Sequence, residues 1–236
     1  MIELQHVSCV TDEGKTILHD VSLTMDDRLT AITGPNGSGK STLVKIIAGI
    51  MPATSGKVLL DGEDITGLSV TERARRGVSF AFQQPVRFKG ITVSDLIGIA
   101  AGKPLTKSEV CSYLSEVGLC ANEYIGREIN ASLSGGELKR IEIATALARN
   151  TKLTLFDEPE AGIDLWSFQN LIKVFEKMQR QTQGNIVVIS HQERILSVAD
   201  RIVLLTAGEV TAVGTKAEIF PLLMQQSFPC ACRTEE

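Results

Sequence analysis

Cysteine is sparse in this chain: five in 236 residues, an odd number scattered along the length. That pattern is no disulfide framework and points to a reducing compartment, so a cytoplasmic protein is expected. An excess of positive charge is also missing. Lys and Arg total 24 against 28 Asp and Glu, a formal net charge of −4 with a pI near 5.5. Without a basic footprint, nucleic acid is not expected as a partner. No stretch approaches the ~20 consecutive apolar residues of a transmembrane helix, so direct membrane insertion is not expected. The opening MIELQHVSCV lacks the basic flank and apolar core of a signal peptide. Internal repeats and low-complexity segments are absent too. What is present is an ordinary globular composition, 43% hydrophobic and 22% charged. The length suits one large domain, or a core with a small insertion.

Short β-branched runs alternate with helical patterns, which predicts an α/β fold with a mostly parallel core sheet and an antiparallel β-region. Strands are predicted over 2–9, 16–25, 29–33, 57–60, 78–82, 153–156, 186–190 and 202–206. The last pairs with 209–213 through a turn at Ala207 and Gly208. Helices are predicted over 40–48, 136–149, 167–181 and 192–199. The wholly apolar runs IVVI (186–189) and LTLF (153–156) suit strands buried on both faces. The stretch 85–130 differs, with helix-like segments at 92–100 and 107–117 punctuated by glycines. The expected organisation is a discontinuous core (1–84 and 151–220), an inserted helical subdomain (85–150) and a tail (221–236).

Residues 34–42 read GPNGSGKST, a full G-x-x-x-x-G-K-[ST] match that follows a strand and opens a helix. Gly34, Gly37 and Gly39 let the backbone curl so that the N–H groups of Pro35–Thr42 other than the proline, among them Asn36 and Ser38, can face phosphate oxygens. Lys40 is expected to reach the β- and γ-phosphates of ATP, and Ser41 to ligate Mg²⁺. Downstream, LTLFDEP places Asp157 and Glu158 just past a buried strand. Ligands of open parallel sheets sit beyond the carboxyl ends of the strands, so these acids and the glycine loop should share one crevice. Asp157 is then placed to hold Mg²⁺ through water, and Glu158 to polarise an attacking water. His191 ends a third buried strand and becomes a candidate γ-phosphate contact. His6 and His19 have no such neighbours and read as structural.

LSGGE at 133–137 precedes the amphipathic run LKRIEIATALAR. Ser134 with Glu137 three residues on is a capping box. Gly135 and Gly136 also expose N–H groups at a helix start, a second place for phosphate. Since the first loop already takes one nucleotide, this second one would serve a nucleotide-bearing face on another subunit.

In this order the motifs resemble the ATP-binding-cassette (ABC) ATPases over nearly the whole chain. The resemblance makes GPNGSGKST the Walker A loop, LSGGE the signature, LTLFDE the Walker B and AGID, with Asp164, the D-loop. Gln83 becomes the Q-loop glutamine and a Mg²⁺ contact, and His191 the switch histidine. It implies a P-loop ABC ATPase fold and an ATP-dependent homodimer, each ATP lying between one protomer's P-loop and the other's LSGGE. One departure concerns the base: the family commonly stacks adenine on an aromatic residue in the first β-region, whereas SCVTDEGKT (8–16) has none, and Val10 is the nearest apolar residue.

Finer matches resemble the SufC family, the ATPases of Suf iron–sulfur cluster assembly: AFQQPV (81–86), SHQERIL (190–196), GGELKR (135–140) and the acidic Glu160. That resemblance implies a soluble Suf-type scaffold subunit as partner, docked beside the Q-loop near Pro85, Val86 and Phe88. The alternative is the ATP-binding subunit of an ABC importer docked on membrane permeases. Cys230 and Cys232 form a C-x-C, two short of the four ligands a cluster or structural zinc takes, and read as an exposed tail. Cys9, Cys111 and Cys120 are expected in the core.

Overall fold

The computed structural model describes residues 1–84, 86–130, 132–181 and 184–225. The first third holds β1 (Ile2–Val10), β2 (Thr16–Met25), β3 (Leu29–Thr33), α1 (Lys40–Ala48), β4 (Ser55–Leu60), β5 (Glu63–Asp64), α2 (Val70–Arg75) and β6 (Val78–Ala81). Four helices follow: α3 (Val93–Ala101), α4 (Lys107–Glu116), α5 (Ala121–Tyr124) and α6 (Gly135–Arg149). The chain then alternates through β7 (Leu153–Asp157), α7 (Leu165–Gln181), β8 (Asn185–Ile189), α8 (Glu193–Val198) and β9 (Arg201–Thr206). It closes with β10 (Glu209–Gly214) and α9 (Lys216–Gln225).

A six-stranded sheet in the order β10-β9-β3-β8-β7-β6 forms the centre, parallel except for β10. Its middle strands are apolar throughout because both faces are covered. In β8, Ile186 and Val188 face one layer while Val187 and Ile189 face the other, all four without exposed surface. One layer is α1 with the antiparallel sheet β2-β1-β4-β5, packed through Leu4, Leu18, Leu43 and Ile47. The other is helical, with Phe175 of α7 edge-on to Phe156 of β7 at 5.2 Å between ring centroids. The helices of the 85–150 region join this second layer: Val93, Ile97, Leu114 and Ile141 belong to the same apolar cluster as Phe156. Capping boxes start three of these helices, at Thr92 with Asp95, Thr106 with Glu109 and Ser134 with Glu137.

The expected α/β architecture is borne out, with differences in short elements and in the last helix. Neither β5 nor the single-turn α5 carries enough residues for a period, and the six-residue α2 shows only its cap, Ser69 with Glu72. Helix α9 runs through Pro221, where a tail was expected to begin. A Thr215–Glu218 cap starts it, and buried Ile219 with half-buried Phe220 and Leu223 anchors it to the core. The cysteine expectation needs correcting: Cys9 is buried, Cys111 half-buried and Cys120 exposed, because the short α5 begins on the surface. Cys230 and Cys232, like Pro85, lie outside the described residues.

Candidate active site

The glycine loop is shaped by neighbours as much as by its own sequence. Gly34 has φ 143°, and a Cβ there would sit 1.9 Å from the Leu205 carbonyl oxygen of β9. Gly39, the residue that opens α1, has φ 98°, and a Cβ would stand 3.0 Å from the Ile17 carbonyl oxygen of β2. Any side chain at either position would push the loop off the sheet. Gly37 differs: the space beside it is open, so only its φ of 77° calls for glycine. A buried Ser38 hydroxyl in the same loop has no hydrogen-bond partner, a polar atom left free inside the cradle.

Lys40 is buried, and its ammonium folds back to donate to the Gly34 and Pro35 carbonyls at 2.8 Å each. Burial draws its pKa down, while the nearby Glu158 and Asp157 carboxylates pull it back up. One residue on, the Ser41 hydroxyl donates to Asp157 Oδ1 at 3.1 Å, joining α1 to the end of β7. Asp157 is 2% exposed and its pKa is raised, chiefly by burial, with the Ser41 hydrogen bond opposing. A hydroxyl and a carboxylate side by side are the hard oxygen donors that Mg²⁺ prefers, and phosphate oxygens or water would complete the shell. The residues present therefore fit Mg-ATP.

Glu158 adopts φ 46°, an uncommon conformation for a residue with a side chain, and its N–H donates to the Ile189 carbonyl at 3.1 Å. This turn aims the carboxylate between two partners. Gln83 Nε2 donates to Glu158 Oε2 at 2.6 Å, and His191 Nε2 stands 3.8 Å from Glu158 Oε1. Burial and the neighbouring Lys40 lower the His191 pKa, which keeps the ring neutral at pH 7. Glu160 sits behind this pair and accepts from the Ser190 hydroxyl at 2.5 Å; burial raises its pKa.

A cavity of about 800 Å³ opens over these groups, lined by Asn36, Gly37, Gly39, Lys40, Ser41, Thr42, Gln83 and Glu158. Its far wall is Lys15, Thr16, Ile17 and Ala207, which sequence reasoning had not singled out. Val10 does not line it and is 39% exposed, so Ile17 supplies the apolar wall where an aromatic ring was lacking. The signal was Lys15 with the Thr16–Ile17 start of β2, which the pairing of β2 with the rest of its sheet carries alongside Gly39. Ser134, Gly135, Gly136, Glu137 and Asp164 do not line this cavity. They form a second group: a Cβ on Gly136 would lie 3.3 Å from the Gly162 carbonyl oxygen, and Asp164 caps α7 by accepting from the Ser167 N–H and hydroxyl. Glu137 accepts from the Tyr124 hydroxyl and from the Ser134 N–H, which hold its pKa down at about 2.

Comparison with known proteins agrees with this geometry. The family profile described as ABC transporter matches residues 18–161. The ABC transporter ATP-binding protein MJ0035 of Methanocaldococcus jannaschii is 36% identical over 226 residues, spanning 92% of this chain and 90% of that one. The lipopolysaccharide export system ATP-binding protein LptB of Escherichia coli K12 is 32% identical over 214 residues, 88% of each chain. Among solved structures, the dimeric ATP-binding cassette MJ0796 with ADP and Pi superposes with a TM-score of 0.80 at 25% identity, covering 91% of this chain and 98% of that one. The chain belongs to the ABC transporter family, as its ATP-binding cassette. It is an ATPase.

Proposed function

We propose that this chain hydrolyses Mg-ATP between two copies of itself and delivers the resulting motion to a soluble Suf-type scaffold in iron–sulfur cluster assembly. The observation carrying the catalytic part is that Lys40, Ser41, Gln83 and Glu158 line one cavity, with Asp157 hydrogen-bonded to Ser41 and His191 beside Glu158. Bound Mg-ATP supplies the electrophilic phosphorus and a cation that offsets charge on the phosphates. Lys40 exchanges its two backbone carbonyls for phosphate oxygens. Ser41 and Asp157 hold the cation, with Gln83 as a further contact. Glu158 orients water and takes its proton, and the neutral His191 ring is free to donate to the γ-phosphate.

Ser134 and Gly135 are exposed, beside the Gly162 loop, where a second cassette can receive them. The dimer seen for MJ0796 supports that reading. Region 85–150 is the body that Gln83 moves. Next to it lies an apolar groove of about 170 Å³ lined by Phe80, Phe82, Val86, Phe88 and Leu96, the proposed dock for the partner. Glu160 and the matches around Gln83, Glu137 and His191 favour a Suf-type scaffold. A membrane permease is the second reading, favoured by relatives named as transporter ATP-binding proteins and, for LptB, lipopolysaccharide export.

Two experiments test this. In steady-state assays Glu158→Gln should bind ATP normally while turnover falls about 10²–10⁴-fold, the range expected for losing a general base; near-normal turnover would remove Glu158 from the role. In a pull-down from the native cell, wild type should retain a soluble scaffold that Phe88→Asp loses. Recovery of an integral membrane permease would decide for the transporter.

A further inference from the structure

Lys139 is the one charged residue among the described residues with no surface exposed to solvent. It lies on α6, two residues past the glutamate of LSGGE, among buried Leu138 and Ile141. Its ammonium donates to the Phe82 carbonyl and, at 3.5 Å, to the Gln83 carbonyl. It also pairs with Glu142 Oε2 at 3.1 Å, one turn along the same helix. The other carboxylate oxygen, Oε1, accepts from the Phe82 N–H at 2.8 Å. Lysine and glutamate thus grip both faces of one peptide residue, and the next residue is Gln83, whose amide reaches Glu158 at 2.6 Å. Glu142 meanwhile lines the apolar groove beside Phe82 and Val86.

Packing alone does not ask for this pair. Taking an ammonium and a carboxylate out of water is costly, and a buried ion pair replaced by apolar residues of similar volume is often neutral or more stable. A methionine would fill the place of Lys139 among its apolar neighbours. What an apolar residue could not do is fix the Phe82 and Gln83 carbonyls. The geometry points to Lys139 as a positioning residue for ATP hydrolysis: with Glu142 it holds the backbone of Phe82 and Gln83 so that the Gln83 amide reaches Glu158. The groove, α6 and the Glu158 carboxylate are then linked through one clamp. This deepens the proposed function and rests on its assignment of Gln83 and Glu158.

The test uses the full chain and a paired variant, Lys139→Met with Glu142→Gln, which leaves no orphan charge and keeps an oxygen for the Phe82 N–H. Its melting temperature should stay within a few degrees of wild type or rise. Its kcat should fall about tenfold or more, the scale of displacing a catalytic group from a distance, with KM for ATP within about twofold. The same pair added to Gln83→Ala should cost nothing further, because the clamp acts only through Gln83. An unchanged kcat, or an equal fold-loss in both backgrounds, would overturn the inference. If the paired variant is insoluble, Glu142→Gln alone is measured in both backgrounds and read by the same rule. Glu158→Gln assayed alongside separates the two readings. Should it keep its turnover, the role of Glu158 fails, while additivity with Gln83→Ala still decides for or against Lys139.

Discussion

Helix α1 follows a glycine-rich loop and helix α6 opens on two glycines, and the two dispose of their orphan N–H groups in opposite ways. Helix α1 opens on Gly39, with no side-chain cap and no acidic residue in its first turn. Its N–H groups and the positive end of its dipole are left for an anion, with Lys40 beside them. Helix α6 opens on Ser134, whose hydroxyl takes the Glu137 N–H while the Glu137 carboxylate takes the Ser134 N–H. Only the N–H groups of Gly135 and Gly136 remain, and the carboxylate nearby already satisfies the dipole. In the proposed function the first start holds the phosphates within one chain. The second is capped without an anion, so under that proposal it offers a phosphate less and acts together with a neighbouring subunit.

Removing the built site should have the largest effect. Lys40→Ala deletes the only lysine in the loop and should abolish turnover. With ATP at about 100 times the wild-type dissociation constant, wild type should gain roughly 2.7 kcal/mol of stability and the variant far less. Thermal melts with and without Mg-ATP check this, and equal stabilisation of both proteins would refute it.

Breaking the second start should separate binding from turnover. Ser134→Arg places a long cation on the exposed face of α6. ATP binding to the isolated chain should change by less than about twofold, since Ser134 does not line the cavity. Hydrolysis and the ATP-dependent dimer should both be lost. Light scattering with ATP, in a Glu158→Gln background that slows turnover, measures the dimer directly. A dimer that survives Ser134→Arg would mean that α6 does not face the partner's nucleotide.

The contrast between the two helix starts was largely legible in the residues. Helix α1 spans the residues its pattern predicts, because Gly39 and Gly49 punctuate both ends. Strands β2 and β3 likewise keep their predicted bounds, and the Ser134–Glu137 cap could be read from spacing alone. Lys139 could not. In an amphipathic pattern a lysine reads as solvent-facing, and only the return of Phe82, 57 residues earlier in the chain, buries it. The hydrogen bond from Gln83 to Glu158 spans 75 residues and has no local signature either. The wall at Ile17 was missed for a related reason: register between strands, not sequence proximity, sets what stands beside Gly39.

The smallest effect should come from Glu137, and it sharpens the comparison by titrating the cap itself. Its folded pKa is about 2, below its ordinary value of 4.5, first because the Tyr124 hydroxyl donates to it and next because the Ser134 N–H does. A carboxylate depressed in this way stabilises the fold above its unfolded pKa. That contribution is lost as pH falls from about 4.5 towards 2. Glu137→Gln keeps an oxygen for the Ser134 N–H but no charge, so at pH 7 it should cost about 1 kcal/mol, the usual worth of a helix cap. The penalty should shrink steadily below pH 4.5 and vanish only below about pH 2, once wild type is protonated as well. Every other acidic group is common to the two proteins, so subtracting their stability profiles isolates this one. A difference that stays constant from pH 7 to 2 would show that the cap works through shape alone. It would also remove the electrostatic part of the contrast with α1, where the anion must come from the ligand.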